Sequence, residues 1–280
     1  MVACLAKTLG KNVQNNAHRS NEPAIPLMKI YCVQHDIIWE DKRANFARVE
    51  ALLAAAAPER GAMVVLPEMF ATGFSMDVRA VRESRDRETA HFLAAMAEKF
   101  GVFLTGGLVT TKTNGKGSNQ SVVLTPAGVE LARYSKMQPF THAGEAKHYD
   151  AGKAVVTFAW GGFTVAPFIC YDLRFPEHFR AATRKGAQLF TVIANWPVAR
   201  IGHWVTLLQA RAIENQAYVA GVNRCGDDPR FRHNGRSLII SPRGDILADA
   251  GNGESVISAE CDVKLLLEYR RELPFLADLR

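Results

Sequence analysis

The feature that most constrains the fold is an alternation, from Met28 onward, of short β-rich runs and longer segments with helical periodicity. Apolar runs bounded by turn residues predict strands, whereas apolar residues spaced three and four apart predict helices. Strands are predicted at residues 29–34, 62–66, 102–107, 163–170, 189–194, 218–224, 237–241 and 255–261, and helices at 41–57, 83–100, 176–185 and 203–216. A Pro-Ala-Gly turn at 126–128 predicts a hairpin between residues 121–125 and 131–134. The pattern indicates an α/β fold.

The size of the chain favours one domain. With 280 residues, of which 48% are hydrophobic, it can bury a large core without metal or disulfide support. We find no linker, internal repeat or low-complexity tract, and therefore predict a single domain over residues 28–280. Residues 1–27 are rich in Asn, Lys and small residues. They are predicted to be a tail or to precede a true start at Met28, with a weak organelle-targeting leader as the alternative.

Charge and cysteine usage exclude several classes of protein. The formal net charge is +6, but Lys and Arg are interspersed with acids and form no basic stripe of the kind that nucleic-acid grooves require. The five cysteines are far apart and form no CxxC pair, which favours a reducing, cytoplasmic location. No apolar run approaches the ~20 residues that span a bilayer. We predict neither nucleic-acid nor membrane partners.

Several polar side chains follow predicted strands directly. Glu68 follows MVVLP, Cys170 follows TVAPFI, and Asn195 and Trp196 follow LFTVIA; Lys136 comes just after a strand in LARYSKMQPF. In α/β folds, loops converge at the carboxyl ends of strands while the sheet keeps them rigid. These residues are therefore expected to meet in one pocket.

Cys170 is the candidate nucleophile. It occupies a sharp strand-to-helix turn, which exposes a side chain near backbone N–H donors. The thiolate is the attacking species, so a base or a positive charge must accompany it. The alternative is that Cys170 is a buried small apolar residue, the role of most cysteines.

Glu68 and Lys136 are the candidate partners of that cysteine. A carboxylate after an apolar run is poorly solvated, which suits a general base; the alternative is a helix cap or a surface ion pair. Lys136 can be a solvated loop lysine, as most lysines are. If it faces the pocket, its ammonium stabilises both the thiolate and the oxyanion, sharing that task with the backbone N–H of Tyr171.

Four segments carry a family resemblance. LPEMFATGF, RYSKMQPF and ICYDLRFPE resemble the three motifs of the nitrilase, or carbon-nitrogen hydrolase, superfamily, which hold its Glu, Lys and Cys in this order. GEAKHYDAG places Glu145 where the family has a second glutamate that holds the lysine and helps to position substrate and water. The likeness extends from about Met28 to Asp262.

The resemblance implies a mechanism, a fold and an assembly. Glu68 is the base, Cys170 the nucleophile, and Lys136 with the Tyr171 N–H the oxyanion site, while Glu145 assists. No metal or organic cofactor is implied, and no His/Cys spacing suggests a metal. The family fold is a four-layer α-β-β-α sandwich with two packed mixed sheets. A homodimer or higher homo-oligomer is implied, with a small-molecule amide as substrate.

Two longer stretches, LPEMFATGFSM and ANWPVARIGHWVTLLQARAIENQAYVAGVNR, resemble the bacterial omega-amidase branch. That branch hydrolyses 2-oxoglutaramate and 2-oxosuccinamate to 2-oxo acids and ammonia. The alternatives are another carbon-nitrogen hydrolase, acting on deaminated glutathione, N-carbamoyl compounds or nitriles, and a non-catalytic metabolite-binding or scaffold protein. Substrate trials are needed to separate the first two, because the shared Glu-Lys-Cys set does not fix the acyl group.

A 2-oxo acid needs a cation for its carboxylate, and Arg pairs with carboxylates bidentately. Arg174 and Arg200 are candidates by position. The alternative for each is a structural role, for Arg174 by pairing with Glu177 or another carboxylate.

Aromatic residues are candidates for the wall of the acyl pocket, although such residues are more often core. The aromatic candidates are Phe74, Phe140 and Trp196, and Met76 is a further, non-aromatic candidate. His148, near Glu145, is a candidate for the pocket mouth. The segment ARAIENQAY (210–218) is predicted to be structural, on a helix that lies near a subunit interface in similar proteins.

Overall fold

The computed structural model describes residues 27–279. The predicted tail, residues 1–27, lies outside the described residues except for Leu27, and its nature stays a prediction. The strands in the described part are β1 (Met28–Gln34), β2 (Met63–Val65), β3 (Phe103–Thr111), β4 (Gly117–Leu124), β5 (Glu130–Ser135), β6 (Phe158–Trp160), β7 (Phe163–Ile169), β8 (Leu189–Ala194), β9 (Tyr218–Asn223), β10 (Cys225–Asp227), β11 (Arg232–Asn234), β12 (Leu238–Ile240), β13 (Ile246–Asp249) and β14 (Ser255–Cys261). The α-helices there are α1 (Lys42–Ala56), α2 (Val78–Val81), α3 (Glu88–Phe100), α4 (Glu145–His148), α5 (Pro176–Arg184), α6 (Ile201–Asn215) and α7 (Val263–Glu272).

The strands form two mixed six-stranded sheets. Sheet 1 has the order β14-β1-β2-β3-β4-β5 and sheet 2 the order β13-β12-β9-β8-β7-β6. From β14 in sheet 1 and from β6 in sheet 2, the pairings follow the same sequence: one antiparallel, two parallel, two antiparallel. The two halves thus share a topology that is not visible as a sequence repeat. β10 and β11 form a separate hairpin.

The two-residue period of β1 shows how the layers are built. Ile30 and Cys32 join a core cluster that includes side chains of both sheets, while Tyr31 and Val33 join a second cluster with side chains of α1 and α3. Alternate residues of a strand point to opposite faces, so sheet 1 is covered by sheet 2 on one face and by helices on the other. The aromatic side chains of β7 and β8 pack against α5 on the outer face of sheet 2. The predicted four-layer α-β-β-α sandwich is confirmed.

The predicted helix at 83–100 is wrong in its first turn and a half. Helix α3 begins at Glu88 because Arg87 has φ +49°. The Glu83 carboxylate accepts hydrogen bonds from the N–H groups of Thr89 (3.3 Å) and Ala90 (3.0 Å), which have no partner within the helix. Glu83 therefore caps the helix from outside it. The helices α2, α4 and α7 and the strands β6, β10, β11 and β13 were not predicted. Strand β3 continues past its predicted end at 107 to Thr111, β4 begins before its predicted start at 121, at Gly117, and the remaining helices and strands lie close to their predicted bounds.

The strand ends that carry the candidate residues belong to both sheets. β2 and β5 of sheet 1 precede Glu68 and Lys136, and β7 and β8 of sheet 2 precede Cys170 and Asn195. The site is thus assembled across the sandwich. No helix between residues 27 and 279 has the length and apolar character to cross a bilayer.

Candidate active site

A buried cluster of one ammonium and two carboxylates lies at the centre of the site. Lys136 Nζ is 2.9 Å from Glu68 Oε1, and 3.1 and 2.9 Å from the two carboxylate oxygens of Glu145. Glu68 and Glu145 are fully buried and Lys136 is 2% exposed. Charges at this depth are stable only when paired and hydrogen-bonded, so each member of the cluster requires the others.

Two asparagines fix the orientation of the carboxylates. Asn119 Nδ2, from β4, donates to Glu68 Oε1 at 2.7 Å and to Glu145 Oε1 at 3.1 Å. Asn195 donates its backbone N–H to Glu68 Oε2 at 2.9 Å and its side-chain amide to the Glu68 carbonyl at 2.7 Å. The Glu68 carboxylate therefore has little freedom to rotate.

The charge state of Lys136 follows from this arrangement. Burial alone lowers the pKa of a lysine, but the carboxylates of Glu145 and Glu68 outweigh that effect and hold the pKa of Lys136 well above its usual value. Lys136 is therefore a fixed cation. Its ammonium also lies 5.0 Å from the centre of the Phe74 ring, which adds a cation–π contact.

Cys170 lies on a strained turn beside this cluster. It follows β7, opens a 3-10 turn (Cys170–Arg174), and has φ +48°, a conformation that non-glycine residues rarely adopt. Burial and the Glu68 charge raise the pKa of its thiol well above the usual value, against the opposing effect of Lys136. Because the raised pKa keeps the resting thiol protonated, attack requires a base, and the Glu68 carboxylate is the charge with the largest effect on the pKa of Cys170.

Asp172 ties the nucleophile's turn to the lysine's loop. Its carboxylate accepts hydrogen bonds from Ile169 N (3.0 Å), Gln138 N (2.8 Å) and the Tyr134 hydroxyl (2.7 Å). Ile169 immediately precedes Cys170, and Tyr134 and Gln138 lie on either side of Lys136 in the sequence. Burial raises the pKa of Asp172 to about 6, although the hydrogen bonds oppose this. Asp172 thus couples two strands of different sheets.

A small cavity, about 30 Å³, opens onto Cys170. All four residues predicted to bind substrate line it together with the nucleophile and its neighbour: Phe74, Phe140, Arg174 and Trp196, with Cys170 and Tyr171. The backbone N–H of Tyr171 belongs to the first turn after Cys170, where N–H groups have no intrahelical acceptor. The structure therefore places the predicted nucleophile, oxyanion donor and acyl wall around one space.

Two arginines lie at this cavity without a carboxylate partner among the residues that the structure describes. Arg174 lies over the Trp196 ring at 4.9 Å, with Nη2 3.2 Å from His203 Nδ1. Arg200 lies over the Phe140 ring at 5.5 Å. The alternative pairing of Arg174 with Glu177 is not what the structure shows.

Some candidates lie elsewhere. Met76 and His148 line a separate surface cavity and do not line the cavity at Cys170, so the expectation that they border the acyl pocket is wrong. The segment 210–218 is structural, as predicted: Arg211 donates to the carbonyl oxygen of Leu173 at 2.7 Å and supports the Cys170 turn from behind.

Sequence reasoning missed four side chains of the site. Asn119 lies in the strand β4, whose sequence is GSNQSVVL. The only signal in the sequence was the row of polar residues that opens this strand, and the structure shows that they are buried. Asp228, Phe231 and His233 reach the cavity from the β10–β11 hairpin, for which the sequence has no clear strand pattern. Within residues 27–279, no group of three or more His, Cys, Asp or Glu side chains is arranged to hold a metal ion.

Comparison with known proteins gives consistent matches over most of the chain. The family model described as carbon-nitrogen hydrolase matches residues 29–271. The chain is 39% identical to the omega-amidase YafV of Yersinia enterocolitica, over 90% of this chain and 96% of that protein. It is 33% identical to a 2-oxoglutaramate amidase of Bacillus subtilis, over 90% and 97% of the two chains.

A solved structure from Xanthomonas campestris, a CN-hydrolase superfamily protein with an arsenic adduct in its active site, superposes with a TM-score of 0.85. The two chains are 32% identical, and the match covers 91% of this chain and 98% of that one. The family match and the shared fold agree. The chain belongs to the carbon-nitrogen hydrolase family and is a hydrolase that acts on amides.

Proposed function

We propose that the protein is an omega-amidase that hydrolyses the terminal amide of 2-oxo dicarboxylic acid monoamides, 2-oxoglutaramate and 2-oxosuccinamate, through a thioester on Cys170. One observation carries the proposal: the small cavity is lined by Cys170, whose thiol feels the charges of the Glu68–Lys136–Glu145 cluster, and by two arginines that have no carboxylate partner among the described residues. A nucleophile at one end and cations at the other suit a short amide that ends in an anion.

Acylation uses the cluster as follows. Glu68 takes the proton of the Cys170 thiol as sulfur attacks the amide carbon, and the C=O electrons move to oxygen. Lys136 and the backbone N–H of Tyr171 stabilise that oxyanion. When the tetrahedral intermediate collapses, the C–N bond breaks and Glu68 returns the proton to nitrogen, so that ammonia departs and the thioester remains.

Deacylation repeats these roles with water. Glu68 removes a proton from a water molecule that attacks the thioester carbon, and Glu145, held by Lys136 and Asn119, assists in aligning it. The C–S bond then breaks, sulfur recovers the proton from Glu68, and the 2-oxo acid leaves. The constrained Glu68 carboxylate suits a base that acts twice at nearly the same place.

The far end of the substrate meets the arginines. Arg174, stacked on Trp196, binds the substrate carboxylate, with Arg200 beside it. Stacking leaves the edge of a guanidinium, with its N–H donors, free for a carboxylate. Phe74 and Phe140 pack against the short carbon chain between the two polar ends.

The test is ammonia release from 2-oxoglutaramate by the purified protein, with glutamine, a simple nitrile and an N-carbamoyl amino acid in parallel. Rapid release confined to the 2-oxo amide, and lost in a folded Cys170→Ala variant, supports the proposal. Preferred turnover of a nitrile or an N-carbamoyl compound would move the protein to another branch of the family. Full activity of Cys170→Ala would overturn the mechanism.

We also propose that residues 28–280 act as one cytoplasmic domain that forms homodimers. The described cysteines, Cys32, Cys170, Cys225 and Cys261, are all free thiols, which suits a reducing compartment. Light scattering on the purified protein gives the oligomer mass, and a monomer at all concentrations would contradict the dimer.

A further inference from the structure

The β10–β11 hairpin supplies a wall of the active-site cavity that the mechanism above does not use. Asp228, Phe231 and His233 all line the cavity that contains Cys170 and Arg200. Strand β11 also packs against the 3-10 turn Val198–Arg200, which carries Arg200. The hairpin therefore lies beside Arg200 at this cavity.

Both carboxylate oxygens of Asp228 have hydrogen-bond partners within the hairpin. Its Oδ1 accepts hydrogen bonds from the backbone N–H groups of Arg230 and Phe231, both at 2.7 Å, and its Oδ2 lies 2.9 Å from His233 Nε2. Burial opposes ionisation, but the hydrogen bonds from His233, Arg230 and Phe231 outweigh it and hold the pKa of Asp228 below its usual value. Asp228 is thus a carboxylate that organises the turn and orients one neighbour.

That neighbour, His233, has one ring nitrogen without a hydrogen-bond partner among the described residues. Its side chain is 1% exposed. Because the ionised Asp228 accepts from Nε2, that nitrogen carries a hydrogen, and Nδ1 is the second polar atom of the ring. His233 Nδ1 is buried and has no hydrogen-bond partner among the described residues. Buried polar atoms are normally satisfied, so this one points to a ligand group that completes it.

We infer that His233, oriented by Asp228, is a specificity-determining residue that binds an oxygen of the 2-oxo acid end of the substrate. With a hydrogen on both ring nitrogens, His233 donates Nε2–H to Asp228 and Nδ1–H to that oxygen. A 2-oxo acid presents three oxygens, two of a carboxylate and one of a ketone, and the cavity offers three donors at that end: Arg174, Arg200 and His233. The inference rests on the proposed function, whose substrate class it refines.

The test compares two substrates of equal chain length. 2-Oxoglutaramate carries the oxygens in question, and pentanamide does not. The variants are His233→Phe, which keeps a ring of similar size without nitrogen, His233→Gln, which restores a donor, and His91→Phe, an exposed control on α3. All are first compared with the wild type by circular dichroism and thermal melting.

Loss of a charge-assisted hydrogen bond should raise KM for 2-oxoglutaramate in His233→Phe by about tenfold or more, with kcat less affected. His233→Gln should recover part of that loss, while KM for pentanamide and the His91→Phe control stay unchanged. An equal loss with both substrates would mean that His233 only supports the fold, and no loss with either would mean that it binds nothing. Either result overturns the inference.

Calorimetric titration with 2-oxoglutarate separates this inference from the proposed function, because it does not require turnover. The inference expects the Kd of 2-oxoglutarate to rise about tenfold in His233→Phe. If the wild type fails to hydrolyse 2-oxoglutaramate, the proposed function fails, and this titration alone decides the role of His233. No binding to the wild type, or the same Kd in both proteins, would overturn it.

Discussion

At the scale of single residues, the stability of the site depends on the ion pairs of Lys136. One ammonium serves two carboxylates, Glu68 and Glu145, and both also accept from Asn119. Removing the ammonium would leave two carboxylates side by side in a place without solvent. The penalty for an uncompensated buried charge then falls on the stability of the whole domain.

Lys136→Met should therefore lower the free energy of unfolding by about 3–5 kcal/mol at pH 8, besides abolishing turnover. In the variant one carboxylate holds a proton more tightly in the folded than in the unfolded state, so the deficit should shrink as pH falls. Urea unfolding at pH 8 and pH 5.5 measures both effects. Lys147→Met, which removes an exposed lysine of α4, is the matched control. Equal stability of the Lys136→Met variant and the wild type at pH 8 would contradict the argument.

The sequence predicted some of these residues and not others, for a physical reason. Glu68, Cys170 and Lys136 each follow a strand, and their neighbouring residues carry the family motifs, so their meeting was predictable. Asn119 lies within β4, where a polar residue reads equally well as solvent-facing. His233 lies on a hairpin of three-residue strands, too short for a hydrophobic period, and its role arises only from contacts across the chain.

At the scale of elements, the approach of β3 to the loop after β2 sets the position of Glu68. Gly107, in β3, donates its N–H to Pro67 O at 3.3 Å. A Cβ at Gly107 would lie 2.3 Å from Met69 N and 2.8 Å from Glu68 Cα. Both atoms are backbone and cannot move aside independently of the loop.

Gly107→Ala should therefore displace Glu68 and lower kcat by at least about tenfold, since misplacement by an ångström is costly in catalysis. It should also lower the stability by about 1–3 kcal/mol, as overpacking does. Gly202→Ala is the control, because a Cβ there, in α6, meets no atom within 4 Å. That change should stabilise the helix by about 0.5–1 kcal/mol. Steady-state kinetics and urea unfolding give both quantities, and an unchanged kcat in Gly107→Ala would refute the steric argument.

Asp172 gives the link between β5 and β7 a dependence on pH. Its pKa in the folded protein is about 6, above the roughly 3.9 of an unfolded aspartate. The folded state therefore binds the proton more tightly, and the contribution of Asp172 to stability falls as pH rises from about 4 to 6, by on the order of 3 kcal/mol. Asp172→Asn should remove this component.

Unfolding free energies of the wild type and Asp172→Asn, measured at intervals from pH 4 to 7, test this. The stability of the wild type relative to the variant should decline through that window and level off above it. Parallel curves would show that Asp172 has an ordinary pKa. The carboxylates of Glu68 and Glu145 are present in both proteins, so they do not account for the difference between the curves.

Element prediction succeeded where periodicity was long and failed where side chains override it. Residues 83–87 continue a helical pattern in the sequence, but they lie outside the helix. The Glu83 carboxylate accepts from the N–H groups of Thr89 and Ala90, and so caps α3 at its N-terminal end. The strand β13 exposes both Ile246 and Leu247, and therefore lacks the alternation that marks a strand in sequence.

At the scale of the whole molecule, exposed apolar side chains collect on one side of the sandwich. Leu247 of β13 and Leu265 of α7 border one surface cavity, and Ile213 of α6 lies against the turn before β13 at Gly244. Their exposed fractions are 44%, 60% and 51%, respectively. β13 and β14 are also edge strands of the two sheets. This is the side on which the proposed homodimer would bury these side chains.

Leu265→Lys should accordingly reduce the dimer mass in light scattering towards that of the monomer at micromolar concentration, because a buried charge opposes association. Leu131→Lys is the control. Leu131 is 41% exposed on β5, at the opposite edge of sheet 1. A dimer that survives Leu265→Lys but not Leu131→Lys would place the interface on the other side.

The pairing of one ammonium with two carboxylates and a thiol has a consequence for the whole catalytic cycle. In the resting cluster the formal charges of Glu68, Glu145 and Lys136 sum to minus one. In the proposed cycle that unit of negative charge moves from Glu68 to sulfur, then to the substrate oxygen, and back to Glu68 as ammonia leaves. The summed charge of Glu68, Glu145, Lys136, Cys170 and the reacting amide thus stays at minus one from the attack of sulfur to the release of ammonia, and the surroundings solvate no additional charge at the reacting centre.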